Sequence, residues 1–215
     1  MTNVKQAQAR RLNMAERAQQ QLDLHFPGWP EIWVWNRKRD AGYISVPRIL
    51  PIAMQAIDDH APKGSPAGHT LFCLWARSPD HVMVTIPHPA SMAAETGFHG
   101  LRATDTWRKR MKVLRDLGFI VTKKGPSGEF HYVLLMNPIA FVERMYQKGD
   151  VQVELYSRFL ERVADMGALK QLEAFRAEWQ RMRDEEAARA AAAAPVPPPP
   201  PPPDSTPAQA AAAAT

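Results

Sequence analysis

The sequence predicts a mixed α+β fold that is mostly helical, with a helix-turn-helix and a β-hairpin at its centre. Residues 104–118 have an amphipathic helical period, and a shorter helical pattern, residues 88–96, precedes them across a glycine-containing turn at 97–100. Two β-rich runs follow, residues 119–124 and 130–136. This order is typical of a winged helix-turn-helix, in which the second helix enters the DNA major groove.

The central helix is predicted to have one dry face and one basic face. At 100° per residue its large apolar side chains share a single stripe, and its charged side chains fall on the opposite side. The apolar stripe is formed by Trp107, Met111, Leu114 and Leu117, and the opposite face by Arg108, Lys109, Lys112 and Asp116.

The ends of this helix carry recognisable signals. Thr104 is a suitable N-cap and Asp105 complements the positive end of the helix dipole. Gly118 stands where a left-handed residue commonly ends a helix.

Basic charge is concentrated on this part of the chain. The whole sequence has a formal net charge of +5, whereas residues 97–124 contain eight Lys/Arg and two Asp, a local net charge of +6. Such a concentration is expected of a surface that binds a polyanion, although a solvated helix face is the ordinary alternative. The candidate DNA-binding residues are Arg102, Thr106, Arg108, Lys109, Lys112 and Arg115 on or beside the helix, and Lys123 and Lys124 beside the hairpin.

The elements before the central helix can be taken in order. Residues 1–25 are rich in Gln, Ala and Arg, a composition that predicts a flexible arm, either a frayed helix or a disordered segment. Residues 26–35 contain three tryptophans, which we expect to lie in a short strand or an extended segment across the core; an aromatic platform for stacking bases is the alternative. Residues 43–46 read as a short strand, followed by a helix from Pro47 to His60.

Asp58, Asp59 and His60 resemble a metal-binding cluster, but the polar end of a helix is the preferred interpretation. A loop at 61–69, a helix at 70–77 and a short strand at 81–86 complete this half of the chain.

Beyond the hairpin the sequence predicts helices at 137–148 and 151–166, then a third with a near-heptad apolar stripe. This stripe either folds back on the domain or pairs with a second copy of the chain, and we expect pairing in a homodimer. From residue 187 the chain becomes poly-Ala and then polyproline, which predicts a disordered tail. The stripe consists of Leu169, Leu172, Phe175, Trp179 and Met182.

The predicted organisation is therefore an arm (1–25), a winged-helix domain (26–148), C-terminal helices (149–190) and a Pro/Ala tail (191–215). A single cysteine, Cys73 in an apolar run, argues against a disulfide framework or a thiolate zinc site. Neither a membrane span nor a signal peptide is evident, so we expect a cytoplasmic protein. Phosphate-binding glycine loops and nucleophile or His-Glu motifs are missing, and the histidines are scattered, which predicts no enzymatic activity, metal or small-molecule cofactor.

Four segments resemble a group of winged-helix proteins of bacterial plasmids and integrated mobile elements. They are residues 71–75, 97–103, 107–111 and 132–138, within a resemblance that spans about residues 30–170. The resemblance implies binding of double-stranded DNA, as a transcriptional regulator or as a replication, partition or maintenance factor. A protein-interaction module without DNA contact is the alternative; a continuous positive face on the second helix favours DNA, and an apolar or acidic face favours protein.

Overall fold

In the computed structural model, residues 16–28, 30–78 and 81–193 are described. The chain divides into two units, one ending at Ser45 and the other beginning at Val46. The sequence placed the main boundary earlier, after residue 25. Residues 1–15 of the predicted arm, Trp29 and the predicted Pro/Ala tail from residue 194 lie outside the described ranges.

The first unit contains helix α1 (residues 16–25) and a single 3-10 turn, Glu31–Trp33. The expectation that Trp33 and Trp35 lie across the core is wrong, because these two residues are 79% and 62% exposed. Trp35 instead meets Tyr43 edge to face, with ring centroids 6.3 Å apart. The predicted strand at 43–46 is also absent, since this described segment pairs with no other strand.

The second unit is a mixed α+β fold, mostly helical, with one three-stranded antiparallel sheet. None of the helices in the described ranges combines the length and apolar composition needed to cross a membrane. Its elements are α2 (Leu50–His60), α3 (Gly68–Ala76), β1 (Met83–Thr85), α4 (Pro89–Glu95), α5 (Ala103–Asp116), β2 (Ile120–Gly125), β3 (Gly128–Leu135), α6 (Pro138–Gln147), α7 (Val153–Asp165) and α8 (Leu169–Ala193).

The strands are arranged in the order β1-β3-β2, so the last strand in sequence lies in the middle. Gly125 pairs with Gly128, which leaves a two-residue loop, Pro126 and Ser127, between β2 and β3. The predicted hairpin is thereby confirmed with a shorter loop, because both flanking glycines belong to the strands. One face of the sheet is buried through residues such as Val133.

One prediction about α2 needs correction and another is confirmed. The helix begins at Leu50 instead of Pro47, because Pro47 opens a separate turn in which its carbonyl accepts from Leu50 N at 2.9 Å. Asp58, Asp59 and His60 form the polar end of the helix, as preferred from the sequence. Asp58 Oδ1 accepts from the backbone N–H groups of Ala67 and Gly68, both at 2.7 Å, and so caps the start of α3. In the described ranges, no group of three His, Cys, Asp or Glu side chains is placed to hold a metal ion.

The core is organised around Trp107, which is fully buried and meets Phe130 edge to face at 5.8 Å between centroids. At the end of α5, Gly118 has φ +88°, as its predicted place at the helix end requires. A Cβ at Gly118 would overlap the ring of Phe141 on α6. The glycine therefore allows both the left-handed turn at the end of α5 and the close approach of α6.

Helix α8 folds back on α6 and α7 of its own chain. Leu172 is buried, and Trp179 meets Phe141 edge to face at 5.7 Å. The interpretation of the whole stripe as a surface for a second copy is wrong, since its middle is already covered; only Leu169 and Met182, at its ends, remain 48% and 47% exposed. The stripe therefore no longer supports the predicted homodimer.

A buried polar cluster joins these three helices. The carboxylate of Glu143 on α6 is almost fully buried and accepts from Tyr156 Oη at 2.6 Å and from Arg176 Nε at 2.8 Å. Burial alone raises the pKa of Glu143, but the hydrogen bonds from Arg176, Tyr156 and Gln147 outweigh it and hold the pKa below its ordinary value. Burial, reinforced by Glu143, raises the pKa of Tyr156 to about 12.

Candidate nucleic-acid interface

Helix α5 is held by its apolar face. Trp107, Met111 and Leu114 are fully buried, as the helical period predicted. The predicted N-cap, Thr104, is wrong: α5 already begins at Ala103, after Arg102, and no side chain caps it. The first turn is closed by the backbone instead, with Ala103 N–H donating to the carbonyl of Gly100 at 3.1 Å.

The turn between α4 and α5 is tight and fixed at both ends. Gly97 and Gly100 both have φ +84°, a backbone conformation that residues with a Cβ rarely adopt. Phe98 between them donates its N–H to Ala93 O at 3.0 Å, and the guanidinium of Arg110 lies over its ring. This geometry turns the chain from α4 directly into the start of α5.

The predicted DNA-binding side chains remain on the surface. Thr106 and Arg115 are partly buried, and the other six are exposed. Five of the basic residues form no salt bridge with any carboxylate in the described ranges, so their charges are available to a ligand. These five are Arg102, Lys109, Lys112, Lys123 and Lys124.

Two of the predicted cations are engaged within the protein. Arg108 Nη1 lies 3.3 Å from Asp105 Oδ1 on the same helix. Because this ion pair is exposed, it contributes little to stability. Arg115 is bound by Glu129 on β3 and lies over the ring of Phe130. The hydrogen bond with Glu129 raises the pKa of Arg115. Arg115 therefore joins the end of α5 to the hairpin and is poorly placed to hold a phosphate.

Arg110 contributed to the local charge in the sequence but is only 8% exposed. It lies on the edge of the apolar stripe, three residues after Trp107 and beside Met111, and donates to Gly64 O at 3.0 Å. Burial lowers its pKa. The surface charge predicted from the sequence includes Arg110, although the spacing of this residue from Trp107 and Met111 is a signal that could have predicted its burial. The surface charge of α5 is therefore smaller than the sequence count suggested.

The outward face of α5 is mixed in sign. Asp105 and Asp116 are exposed near its two ends, on the same side of the helix as Lys109 and Lys112. The centre of the face is therefore basic and its ends carry carboxylates. It is neither continuously positive nor apolar.

The hairpin is anchored at its loop. Ser127 Oγ donates to Ile86 O at 2.5 Å, just beyond β1, and lies 2.7 Å from His131 Nδ1. The backbone N–H of Ser127 also donates to His131 Nδ1, at 3.4 Å. His131 is buried, while His88 and His99 are exposed and contribute to no metal-type group in the described part of the chain. Ser127 and His131 thus serve to fix the hairpin that carries Lys123 and Lys124.

Comparisons with protein-family models, with curated proteins and with solved structures found no match to this chain.

Proposed function

We propose that α3 to β3 form a winged helix-turn-helix that binds double-stranded DNA sequence-specifically, with α5 in the major groove and the β2–β3 hairpin against the backbone. Its biological role would be that of a transcriptional regulator or of a plasmid or mobile-element replication or maintenance factor. The observation that carries the proposal is the way in which α5 packs. Its apolar face is buried, and Lys109 and Lys112 project from the opposite face without carboxylate partners in the described ranges.

Two further features support this proposal. The element order, with strands arranged β1-β3-β2, agrees with a helix-turn-helix whose following hairpin completes a small sheet. The unpaired Lys123 and Lys124 lie on β2, where they can supply phosphate contacts beside the groove. Base recognition would come from Arg102, Thr106 and Lys109, because residues in the first turns of a recognition helix contact base edges.

The test is fluorescence anisotropy of the full chain with a labelled pool of random-sequence duplexes across a salt series. Binding should weaken steeply with salt, because each phosphate contact releases counterions. Joint replacement Lys109→Ala and Lys112→Ala should weaken binding and reduce the log–log salt slope by roughly one per lysine that contacts a phosphate.

The matched control replaces Lys148 and Lys170, two exposed lysines outside this surface, with Ala. Equal losses in both double variants would show that α5 is not the contact surface. Selection of bound duplexes over several rounds should enrich a defined sequence; a pool that stays random contradicts sequence-specific binding.

A protein-interaction role is the second candidate, favoured by the open face of the sheet. Met83, Leu134 and Val121 lie side by side in register across the three strands and are 54%, 40% and 51% exposed. Contiguous exposed apolar groups often mark contact sites for other proteins. Failure to bind duplex DNA even at low salt would favour this candidate, whereas DNA binding that survives Leu134→Ser would assign the contact to α5.

A homodimer stays an expectation. A two-fold partner would set two copies of α5 roughly 34 to 36 Å apart, one turn of DNA. Sedimentation velocity of the full chain, alone and with a selected duplex, tests this directly.

A further inference from the structure

A cavity of about 370 Å³ opens beside the end of β3 in the second unit. It lies where the start of α6, the turn between α7 and α8, and the segment leading into α2 meet. Its walls are apolar, and its volume falls near the lower end of the range typical of small-molecule sites, roughly 300 to 1,000 Å³. The principal wall residues are Trp75, Val82, Leu135, Ile139, Met166 and Ala168.

The polar groups of the wall are largely occupied. The N–H of Leu135 donates to Val82 O at 2.7 Å, so the strand edge is satisfied. Asn137 Oδ1 accepts from Ile139 N at 3.0 Å, so this side chain serves the start of α6. These groups have little capacity left for a ligand.

Two donors in the lining have no partner. Among the described residues that line the cavity, Arg48 is the only charged one, and its exposed guanidinium forms no salt bridge with a described carboxylate. The indole N–H of Trp75 has no acceptor in the described ranges. The indole N–H groups of Trp107 and Trp179 also lack an acceptor in these ranges, so an unpaired indole N–H is not specific to this cavity. The charge of the ligand is therefore inferred from Arg48 alone.

The geometry points to a binding site for a small amphipathic carboxylic acid. Its apolar body would occupy the space between Trp75, Ile139 and Met166, and its carboxylate would pair with Arg48. Apolar walls whose described residues supply one unpaired cation and no carboxylate favour a ligand of this class over a sugar, a nucleotide or an amine. Such a site would bind its ligand whether or not the chain binds DNA.

The first experiment compares matched acids and amides on the full chain by isothermal titration. The probes are indole-3-acetate against indole-3-acetamide and octanoate against octanamide. Each acid should bind roughly two- to fivefold more tightly than its amide, the gain expected of a solvent-accessible ion pair. Arg48→Gln should abolish this preference while retaining amide binding, and Arg48→Lys should restore part of it.

Lys170→Gln is the control, because Lys170 is exposed and adjacent to the lining residue Gln171 but does not itself line the cavity. It should leave the preference for acids unchanged. Loss of the preference in Lys170→Gln as well as Arg48→Gln would assign it to general surface charge and overturn the proposal.

The second experiment locates the apolar part of the ligand. Ala168→Leu should weaken acid and amide alike by occupying the cavity, with the circular-dichroism melt checking the fold. Independently of any filling variant, the indole N–H resonance of Trp75, assigned with Trp75→Phe, should shift when indole-3-acetate is added. Failure of both acids to bind at millimolar concentration, or binding without a shift of this resonance, overturns the proposal.

Discussion

Glu143 on α6 accepts a hydrogen bond from the hydroxyl of Tyr156 on α7 at 2.6 Å, in the interior of the C-terminal helices. Arg176 on α8 donates to the same carboxylate, so one side chain connects three helices. Its removal would leave the Tyr156 hydroxyl buried without its acceptor. The cluster is therefore a sensitive probe of how α7 and α8 are held to the domain.

Glu143→Ala should lower the free energy of unfolding by about 1 to 3 kcal/mol, the usual cost of leaving a buried polar group unpaired. Arg176 is partly exposed and can regain water, so a larger loss is not expected. Urea unfolding followed by circular dichroism measures the change. Glu178→Ala, which breaks an exposed pair with Arg181, should change stability by no more than about 0.5 kcal/mol; similar losses in the two variants would contradict the assigned role of the cluster.

Acidic pH should remove the contribution of the same cluster to stability. Because the pKa of Glu143 is lower in the folded chain than in the unfolded chain, its contribution to stability is present above the ordinary glutamate pKa. That contribution is lost as the pH falls below about 4.3, the ordinary value, and through the lower folded pKa. Between about pH 5 and pH 3, Glu143→Gln should thus lose less stability than the parent. Parallel pH–stability curves would show that Glu143 does not titrate in this way.

Gly118→Ala should destabilise the fold more than Gly97→Ala. Both positions have positive φ, which costs a side chain with a Cβ roughly 1 to 2 kcal/mol. Only at Gly118 would the added methyl also meet Phe141, whereas Gly97 faces open space. Thermal unfolding of the two variants measures the difference; equal losses would show that the contact between α5 and α6 adjusts freely.

Trp107→Ala should cost roughly 3 to 5 kcal/mol, the range for removing a large buried aromatic side chain. Trp33→Ala is the control, since this exposed tryptophan should contribute little to stability. Denaturant unfolding distinguishes the two. A Trp107→Ala protein of normal stability that fails to bind DNA would instead place this residue at the ligand.

Asp116→Asn should strengthen duplex binding by removing a carboxylate from the outward face of α5. The side chain is exposed, and it stands near the negative end of the helix dipole, so folding should be unchanged or slightly favoured. Anisotropy at low salt should show tighter binding, with the difference shrinking as salt is added. Weaker binding would mean that Asp116 itself contacts a base or orients Arg115.

The second unit was largely predictable because its apolar residues repeat with clear periods. Trp107, Met111 and Leu114 repeat at helical spacing, and the structure buries all three. The tryptophans at 33 and 35 were misplaced because hydrophobicity indicates a tendency to be buried, while burial also needs a surface to pack against. For α8, the apolar stripe was visible, but its period does not distinguish a partner chain from the chain's own α6.

The position of the candidate interface could be predicted from the sequence. Which of its basic side chains carry a free charge could be predicted less well. Exposure of Lys109 and Lys112 followed from the helical wheel. The pairing of Arg115 with Glu129 joins residues of two different elements, and only the three-dimensional fold brings them together. The same holds for the contact of Arg110 with Gly64.

The hydrogen bonds of Ser127 to Ile86 and of Arg115 to Glu129 both restrain the position of the hairpin. The first ties the loop of the hairpin to the segment before α4, and the second ties the start of β3, next to the loop, to the end of α5. The loop end of the hairpin is thereby held by two separate contacts before any ligand arrives. A surface prepared in this way gives up little motional freedom when it is occupied, so more of each contact's energy is retained as affinity.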